Sequence, residues 1–486
     1  MWELLLEYWP HILAAISLLM AAVAIVHVVM TKDDVRAATG WVGVVLLSPI
    51  LGPLVYAAVG INRIRRASIV SDRLRLGRPA RHPVQAEVSV AAVEARFGER
   101  LAAMKILGDR VAHHPLTSGN AIRMLRDGDE TYARMIQAID QARRSVILET
   151  YIFDRDPIGL RVAAALIAAV RRGISVRVLI DSIGARYTVP SIFGELHRGS
   201  VPVQLFNGRL ISGLRLPYAN LRTHRKILVV DGAVAFVGGM NIRQGFTREF
   251  AGDHRARDTH FCITGPVVPH LFSVAAEDWR FTAGEMLDGE EWLGDPAPVV
   301  EPGTPVLVRP VASGPDASLE TNHKMLMGAF STARRSIRIM SPYFLPDREL
   351  VSALATAARR GVAVDIIVPA QNNLTLVDRA MTAQFDQVLK HYCRVWRAQG
   401  PFDHSKLLTI DGLWAYVGSS NLDPRSLRLN FEIDIEVFDG EFAAAIDERI
   451  AIAMKDALPV TLEDLRARPF YTRLINRLLW LGSPYL

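Results

Sequence analysis

The decapeptide THRKILVVDG at residues 223–232 recurs as DHSKLLTIDG at residues 403–412. Both copies fit the pattern H-x-K-x-x-x-x-D, and an Asn follows each His by seventeen residues, at Asn241 and Asn421. Period-two alternation places His and Lys on one face of an extended strand, and Asp-Gly is typical of a tight turn between strands. The pattern therefore predicts two equivalent strand–turn–strand units, each presenting an imidazole and an ammonium to a pocket.

The repeat extends upstream of both motifs. The run AIDQARRSV at 138–146 recurs as AFSTARRSI at 329–337, and RRGISVRVLI at 171–180 matches RRGVAVDIIV at 359–368. In each copy a Gly ends a helical pattern and β-branched residues begin a strand. Strand, helix and strand in each half predict an α/β layer architecture with two similar lobes.

The lobe boundaries follow from the repeat and from composition. The first lobe is expected over residues 111–290 and the second over residues 300–486. The segment 284–310, rich in Pro, Gly and acidic residues, is the expected seam between them.

The N-terminal part is predicted to lie in a membrane. Residues 12–30 contain no Asp, Glu, Lys or Arg, and nineteen helical residues span roughly 28 Å, the thickness of one bilayer core. A second uncharged run, 37–61, is interrupted by Gly and Pro, which bilayer helices tolerate. Residues 1–66 are thus expected to form a transmembrane helical hairpin. A cleaved signal peptide plus a core helix is the alternative, but the first ten residues carry two Glu and no basic residue.

A basic linker is expected over residues 67–110. Seven Arg lie between Arg63 and Arg81, and positive residues next to a membrane span stay on the cytoplasmic side. The lobes are therefore predicted to be cytoplasmic. The same cluster would attract anionic lipid headgroups.

Composition excludes several classes of protein. The 486 residues are 50% hydrophobic and 22% charged, which excludes a disordered chain. The net charge of +6 comes from 56 basic and 50 acidic residues. This positive charge is too dispersed along the chain to require a nucleic-acid partner. The two cysteines, Cys262 and Cys393, cannot build a disulfide framework and lack the spacing of metal ligands.

Chance is a poor explanation of the two motifs. An isolated His near a Lys is usually a surface pair, but here two of only seven Lys stand at equivalent motif positions with matching downstream Asn residues.

The duplicated H-x-K-x-x-x-x-D resembles the phospholipase D superfamily. The stretch GSSNLDPRSLRLNFE at 418–432 resembles the bacterial cardiolipin synthases, as do the paired N-terminal spans and the terminal SPYL at 483–486. Thr223, where the family usually has Asn, and Arg257 before Asp258 depart from the pattern.

The resemblance implies two α/β lobes related by pseudo-twofold symmetry, with both motifs serving one phosphodiester. One imidazole would attack phosphorus and the other would protonate the leaving alkoxide; the spacing does not decide which, and the resemblance favours His224 as the nucleophile. The implied site comprises the catalytic residues His224, Lys226, Asp231, His404, Lys406 and Asp411, the substrate-binding residues Asn241, Asn421, Gly239 and Ser419, and the carboxylates Asp258 and Glu432, which would orient the imidazoles.

Two further expectations concern the carboxylates. Pairing with Asp258 and Glu432 is expected to raise the pKa of each histidine and fix its tautomer. Asp231 and Asp411, although part of the motif, fit a turn and scaffold role better, because a side chain five positions beyond Lys on a strand lies far from it.

The activity implied is that of a cardiolipin synthase in the bacterial inner membrane, which would convert two phosphatidylglycerols into cardiolipin and glycerol through a phosphatidyl-histidine. The expected partners are phosphatidylglycerol and the membrane, with no nucleic acid, metal or other cofactor; a homodimer is left open. A phospholipase D releasing phosphatidic acid and an inactive lipid-binding membrane protein are the alternatives. A C-terminal helix with one apolar face would lie in the membrane interface or dock onto the core; the face comprises Tyr471, Leu474, Ile475, Leu478 and Leu479.

Overall fold

A computed structural model describes residues 2–32, 34–60, 86–207, 221–292 and 305–483. These residues form two compact units, one containing residues 2–60 and one containing the rest. The predicted basic cluster, 63–81, and the last three residues of the terminal SPYL lie outside the described residues.

The N-terminal unit begins with the helix Trp2–Thr31, which includes the predicted first span, 12–30. Its part Tyr8–Thr31 is, among the described residues, the one helix long and apolar enough to cross a membrane. Exposed Leu18, Leu19 and Met30 side chains fit contact with lipid.

The predicted second span, 37–61, is not one continuous helix. It comprises the helices Val35–Leu47 and Leu51–Val55 and a π-helical turn, Tyr56–Gly60. The break has a local cause: Ser48 precedes a proline and is therefore driven out of the helical region, to φ −143° and ψ 79°. The described residues thus contain one long helix, which includes the predicted first span, and a segment broken at Ser48 where the interrupted second span was predicted.

The described residues of the larger unit form sixteen strands. Those of the first lobe are β1 Thr117–Leu125, β2 Ser145–Thr150, β3 Ser175–Asp181, β4 Val203–Phe206, β5 Arg222–Thr223, β6 Ile227–Val230, β7 Val234–Gly238 and β8 His260–Thr264. Those of the second lobe are β9 Val306–Ser313, β10 Ser336–Met340, β11 Ala363–Pro369, β12 Arg394–Ala398, β13 Leu407–Ile410, β14 Trp414–Gly418, β15 Asn430–Phe438 and β16 Leu458–Val460.

All the strands except β5 follow one another in a single mixed sheet. The order in the first lobe is β1-β8-β7-β6-β2-β3-β4, and the order in the second is β9-β15-β14-β13-β10-β11-β12, followed by β16. The two orders are identical strand for strand, and the lobes join where β1 pairs antiparallel with β9. Two equal halves joined through equivalent antiparallel edges are related by a pseudo-twofold axis, which confirms the predicted α/β fold class.

Helices surround this sheet. They are Val90–Phe97, Glu99–Val111, Gly128–Gln141, Pro157–Arg171, Ile192–Arg198, Arg248–Ala251, Val268–Ala283, Thr321–Thr332, Arg348–Arg359, Thr375–Leu389, Pro424–Arg428, Gly440–Met454, Leu462–Ala467 and Phe470–Leu481. Gly173 and Gly361 follow two of these helices with positive φ, as the sequence predicted for helix ends. Every residue of β2 and of β15 is buried, as in strands that helices cover on both faces.

The described part of the predicted linker, 67–110, contains helices. Residues 86–110 of it are described, and they include the helix Val90–Phe97 and most of the helix Glu99–Val111. Val93, Leu101 and Met104 are buried in the same apolar core as Phe330 of the second lobe. The sequence suggested a linker because this segment precedes the repeat, but its apolar side chains complete the second lobe.

The Asp-Gly turns join each lobe's helix to its sheet. Asp231 and Asp411 have φ near +55° and are followed by glycines that also have positive φ, so both turns have the left-handed backbone that Asp-Gly favours. The Asp231 carboxylate accepts N–H groups from residues 143–145. The Asp411 carboxylate accepts those of residues 334–336, and the Arg100 guanidinium donates to it at 2.8 Å.

We expect Asp411→Ala to destabilise the protein by about 2 kcal/mol at pH 7, because it leaves three partly buried N–H groups and the Arg100 guanidinium without their acceptor. Burial would raise the pKa of Asp411, but the Arg100 guanidinium and the backbone N–H groups outweigh burial and lower this pKa below its ordinary value. The stabilisation is therefore present above the unfolded-state pKa and is lost as pH falls through the folded-state value. Chemical denaturation of solubilised protein at pH 7 and pH 3 measures both effects.

Asp411→Asn, which keeps one acceptor oxygen, should lose less stability than Asp411→Ala. A variant that unfolds like the parent but has lost its enzymatic activity would contradict the scaffold role.

Candidate active site

The motif histidines lie in extended segments that bind to the opposite lobe. The sequence placed His and Lys on a strand, but β6 and β13 begin only after Lys226 and Lys406. The backbone N–H of His224 donates to the Phe431 carbonyl at 2.8 Å, and that of His404 donates to the Arg257 carbonyl at 2.7 Å. Each motif histidine thus bonds through its backbone to the opposite lobe, across the pseudo-twofold axis.

The carboxylates also cross between the lobes. Nδ1 of His224 lies 2.9 Å from Oε2 of Glu432, and Nδ1 of His404 lies 2.8 Å from Oδ2 of Asp258. Both carboxylate side chains are fully buried. A neutral imidazole that donates from Nδ1 carries its lone pair on Nε2. Each imidazole of one lobe is therefore oriented, in this tautomer, by an acid from the other lobe.

The histidine pKa values differ from the sequence expectation. Burial and the Lys226 and Lys406 ammonium groups lower the pKa of His224 well below its usual value. Burial and Lys406 likewise lower the pKa of His404 to about 4, although Asp258 opposes the shift. Desolvation and two nearby cations thus outweigh one carboxylate. Both imidazoles are neutral at pH 7, and the negative charge of a phosphodiester between them would favour protonation of one.

Each motif lysine contacts the backbone of the histidine in the same motif. Nζ of Lys226 donates to the His224 carbonyl at 2.5 Å, and Nζ of Lys406 donates to the His404 carbonyl. Both are buried, and burial lowers the pKa of Lys226 to about 7 and that of Lys406 to about 8. An anion bound near these two ammonium groups would raise their pKa values and so keep both lysines protonated.

The equivalent positions Gly239 and Ser419 serve different carboxylates. A Cβ on Gly239 would lie 2.5 Å from Oδ1 of Asp258, so glycine leaves space for that acid. The Ser419 hydroxyl donates to Oε2 of Glu432 at 2.6 Å. Both residues thus help to place a carboxylate, whereas the sequence suggested substrate contact.

The two predicted asparagines line the same cavity as the imidazoles. Oδ1 of Asn241 accepts the Ile152 N–H at 3.1 Å, which fixes that amide. Oδ1 of Asn421 is buried with no hydrogen-bond partner among the described residues. The cavity has a volume of about 870 Å³. Asp231 and Asp411 are not among the described residues that line it.

Several cavity residues were not predicted. The Tyr151 ring lies 5.2 Å from the His224 ring, and the Phe402 ring lies 5.8 Å from the His404 ring. Arg222 and Arg425 also line the cavity. Three of these residues could have been found from the sequence. Residues 222 and 402 precede the motif histidines by two positions, so each shares a face of an extended segment with its histidine. Arg425 lies within the stretch 418–432 that carries the family resemblance.

One group of side chains has the spacing of metal ligands. His323, Asp347 and Glu349 bring one ligand atom each within 4.8 Å of the others. The Arg428 guanidinium lies 3.5 Å from the Asp347 carboxylate. This guanidinium places a positive charge beside the carboxylate, as a bound metal ion would.

Comparisons with known proteins show which families this chain resembles. The family described as "Cardiolipin synthase, PLD-like domain" matches residues 135–250 and 326–452, and the family "Phospholipase_D-nuclease N-terminal" matches residues 19–60. A cardiolipin synthase of Alkalihalophilus pseudofirmus is 32% identical over 78% of this chain and 75% of its own length. Cardiolipin synthase A of Pseudomonas fluorescens is 30% identical over 99% of both chains.

A solved structure shares the fold. The phosphatidylserine synthase of Haemophilus influenzae Rd KW20 superposes with a TM-score of 0.58 and 16% identity, over 79% of this chain and 100% of the other. At this identity the likeness shows the fold alone.

We expect the site's affinity for sulfate, an oxyanion whose charge is constant over this range, to fall by roughly tenfold or more between pH 6.5 and pH 9.5. Because the pKa values of both lysines are lowered, their ammonium groups lose protons in this interval. Calorimetric titration of sulfate into the solubilised protein measures the change. Lys226→Met and Lys406→Met should bind sulfate more weakly at pH 6.5 and show a flatter pH dependence; a pH-independent affinity in the parent would contradict the assignment.

Proposed function

The chain belongs to the family of cardiolipin synthases with phospholipase D-like domains, and we propose that it transfers a phosphatidyl group from one phosphatidylglycerol to another. It is a phosphatidyltransferase, and the products of the proposed reaction are cardiolipin and glycerol. The observation that carries the proposal is that two imidazoles line one cavity, each hydrogen-bonded to a carboxylate of the other lobe at 2.8–2.9 Å. This pair gives one phosphodiester a nucleophile and a proton donor on opposite sides.

The reaction proceeds in two displacements. In the first, Nε2 of one imidazole forms a bond to phosphorus, the bond to the glycerol oxygen breaks, and the second imidazole, protonated once the anionic lipid has bound, gives its proton to that oxygen. In the second, the same imidazole takes a proton from the hydroxyl of another phosphatidylglycerol, whose oxygen bonds to phosphorus as the phosphorus–nitrogen bond breaks. Protons and electron pairs balance, and no cofactor is required.

The lysines and asparagines stabilise the phosphoryl oxygens in this scheme. Lys226 and Lys406 place ammonium groups next to the histidine carbonyls, and Asn241 and Asn421 line the cavity between the imidazoles. Preorganised donors in a site with little water stabilise charge that develops on nonbridging oxygens. Their pKa values, near 7 and 8, make the lysines most effective once a phosphate anion has bound.

Transfer is favoured over hydrolysis by the setting. Exchanging one phosphodiester for another changes bond energy little, and release of glycerol into water drives the exchange forward. A bilayer supplies acceptor lipid at high local concentration. The second candidate, a phospholipase D releasing phosphatidic acid, uses the same residues with water as acceptor.

The proposed location is the bacterial inner membrane, with the lobes on the cytoplasmic side and the N-terminal unit as anchor. A second contact is the helix Phe470–Leu481. Its Trp480 indole donates to Gln384 of the core, while Tyr471, Leu474 and Leu478 remain 66%, 46% and 58% exposed. The helix therefore docks on the core by one side and presents an apolar face by the other, the arrangement of an interfacial helix.

The reaction is tested with purified protein in phosphatidylglycerol bilayers, with products separated by mass. Wild type should form cardiolipin and glycerol in equal amounts, and His224→Ala and His404→Ala should each lower the rate by about 10³-fold or more, because each removes one partner of the displacement. His254→Ala, at an exposed histidine, is the matched control and should retain activity. Phosphatidic acid as the sole product would replace the synthase by the hydrolase, and no product from any phospholipid would favour a lipid-binding protein.

The interfacial helix is tested by a fluorophore on Leu478→Cys in full-length protein reconstituted into bilayers. We expect blue-shifted emission that brominated lipids quench, because this side chain belongs to the exposed apolar face. The same fluorophore on Arg473→Cys, an exposed polar position of this helix, should show neither change. The native cysteines are buried and should label slowly. Equal emission from both positions would contradict the interfacial role.

A further inference from the structure

The cavity is symmetric in backbone but not in charge. Arg222 and Phe402 occupy equivalent positions, two residues before the motif histidines, and Arg425 is equivalent to Gly245, each lying four residues after its cavity asparagine. All four line the cavity. The end next to His224 therefore carries two guanidinium groups where the end next to His404 carries a phenyl ring and a glycine. The pseudo-twofold architecture does not require this difference, so it points to different ligands at the two ends.

The two arginines lie close together beside His224. Arg222 belongs to β5, which pairs parallel with the start of β15 so that Arg222 is opposite Asn430. Arg425 lies on the helix Pro424–Arg428, which leads directly into β15. Burial lowers the pKa of Arg222, and the nearby Arg425 lowers it further, although Asp181 opposes both effects. Two guanidinium groups this close in one cavity suit a phosphate, which guanidinium binds through paired hydrogen bonds.

The nearby carboxylates of Asp181 and Asp423 accept backbone N–H groups and also attract the guanidinium groups of Arg222 and Arg425. Oδ1 of Asp181 accepts the Ile183 N–H at 2.9 Å, and its Oδ2 accepts the Thr223 N–H at 3.1 Å. Oδ1 of Asp423 accepts the Ser426 N–H at 2.7 Å. At the His404 end, by contrast, the Arg243 guanidinium forms an ion pair with Asp154 at 3.1 Å. Arg425 forms no ion pair with any described residue.

We propose that Arg222 and Arg425 bind the phosphodiester of the acceptor lipid, and so select an anionic phospholipid as acceptor rather than water or a neutral alcohol. This inference rests on the proposed function. The leaving glycerol and the incoming acceptor hydroxyl occupy the same position on phosphorus, opposite the nucleophile. The acceptor differs from free glycerol by carrying a second phosphate, and this end of the cavity offers that phosphate two guanidinium groups.

The subsite assigns roles to the histidines. If the acceptor phosphate lies at Arg222 and Arg425, the acceptor hydroxyl lies beside His224, which then removes its proton. In-line displacement places the nucleophile opposite, at His404. The new oxygen–phosphorus bond forms as the bond between phosphorus and Nε2 of His404 breaks, and the hydroxyl proton moves to Nε2 of His224. This assignment is the reverse of the one favoured by sequence resemblance.

The test measures how the phosphatidyl-enzyme divides between two acceptors. Full-length protein in phosphatidylglycerol bilayers is supplied with ethanol, and cardiolipin and phosphatidylethanol are quantified together. Arg425→Gln should lower cardiolipin formation by about tenfold or more, since a charged pair to phosphate is lost, while phosphatidylethanol formation changes by less than about threefold. Arg428→Gln, an exposed position on the same short helix, is the matched control and should leave the ratio of products unchanged.

Each outcome decides one question. If the wild type forms no cardiolipin, the proposed function is refuted. If the wild type forms both products and Arg425→Gln loses both to the same extent, only the subsite is refuted. Circular dichroism and the phosphatidylethanol rate identify a variant that has failed to fold, and Arg425→Lys, which keeps the charge, should then recover part of the cardiolipin rate. Protein incubated with lipid labelled at its phosphorus and denatured in alkali, which preserves the phosphorus–nitrogen bond, should carry the label on the peptide containing His404; label on His224 would overturn the assignment of roles.

Discussion

The hydrogen bonds between each motif imidazole and a carboxylate of the opposite lobe are the constraint on which the rest of the site depends. They require the two lobes to meet in one register, which the antiparallel pairing of β1 with β9 supplies. Backbone bonds from His224 to Phe431 and from His404 to Arg257 hold the same two segments together. Neither motif imidazole has its carboxylate partner in its own lobe, so the chemistry belongs to the junction between the lobes.

Burial sets the electrostatics of this junction. Two ammonium groups, two imidazoles and two carboxylates share a region from which water is largely excluded, and desolvation penalises every charged form. The lysine and histidine pKa values are consequently lowered, whereas Asp258 keeps a lowered pKa through its bond to His404. Glu432, with a raised pKa, relies instead on Ser419 and Asn430 as hydrogen-bond donors. An anionic substrate therefore completes a site that is short of negative charge.

Much of this architecture could be predicted from the sequence because the chain repeats itself. The duplicated motif identified two α/β lobes, and the Asp-Gly pairs identified the turns after the motif strands. The exchange of carboxylates between lobes could not be predicted, since spacing along the chain carries no information about which lobe Asp258 or Glu432 faces. The lowered histidine pKa values were missed for a related reason: burial of the lysines is a property of the assembled lobes. Ser48, placed before a proline, was a local signal for the broken second segment, but hydrophobicity alone did not reveal its effect.

The difference between Arg222 and Phe402 has a consequence for direction. Two identical halves related by a true twofold axis would form a cavity with indistinguishable ends, and a substrate could then enter in either orientation with equal free energy. Joining the halves in one chain lets each end change its side chains independently while the backbone symmetry persists. The two ends of the cavity thereby differ chemically, so an asymmetric ligand has different free energies in its two orientations.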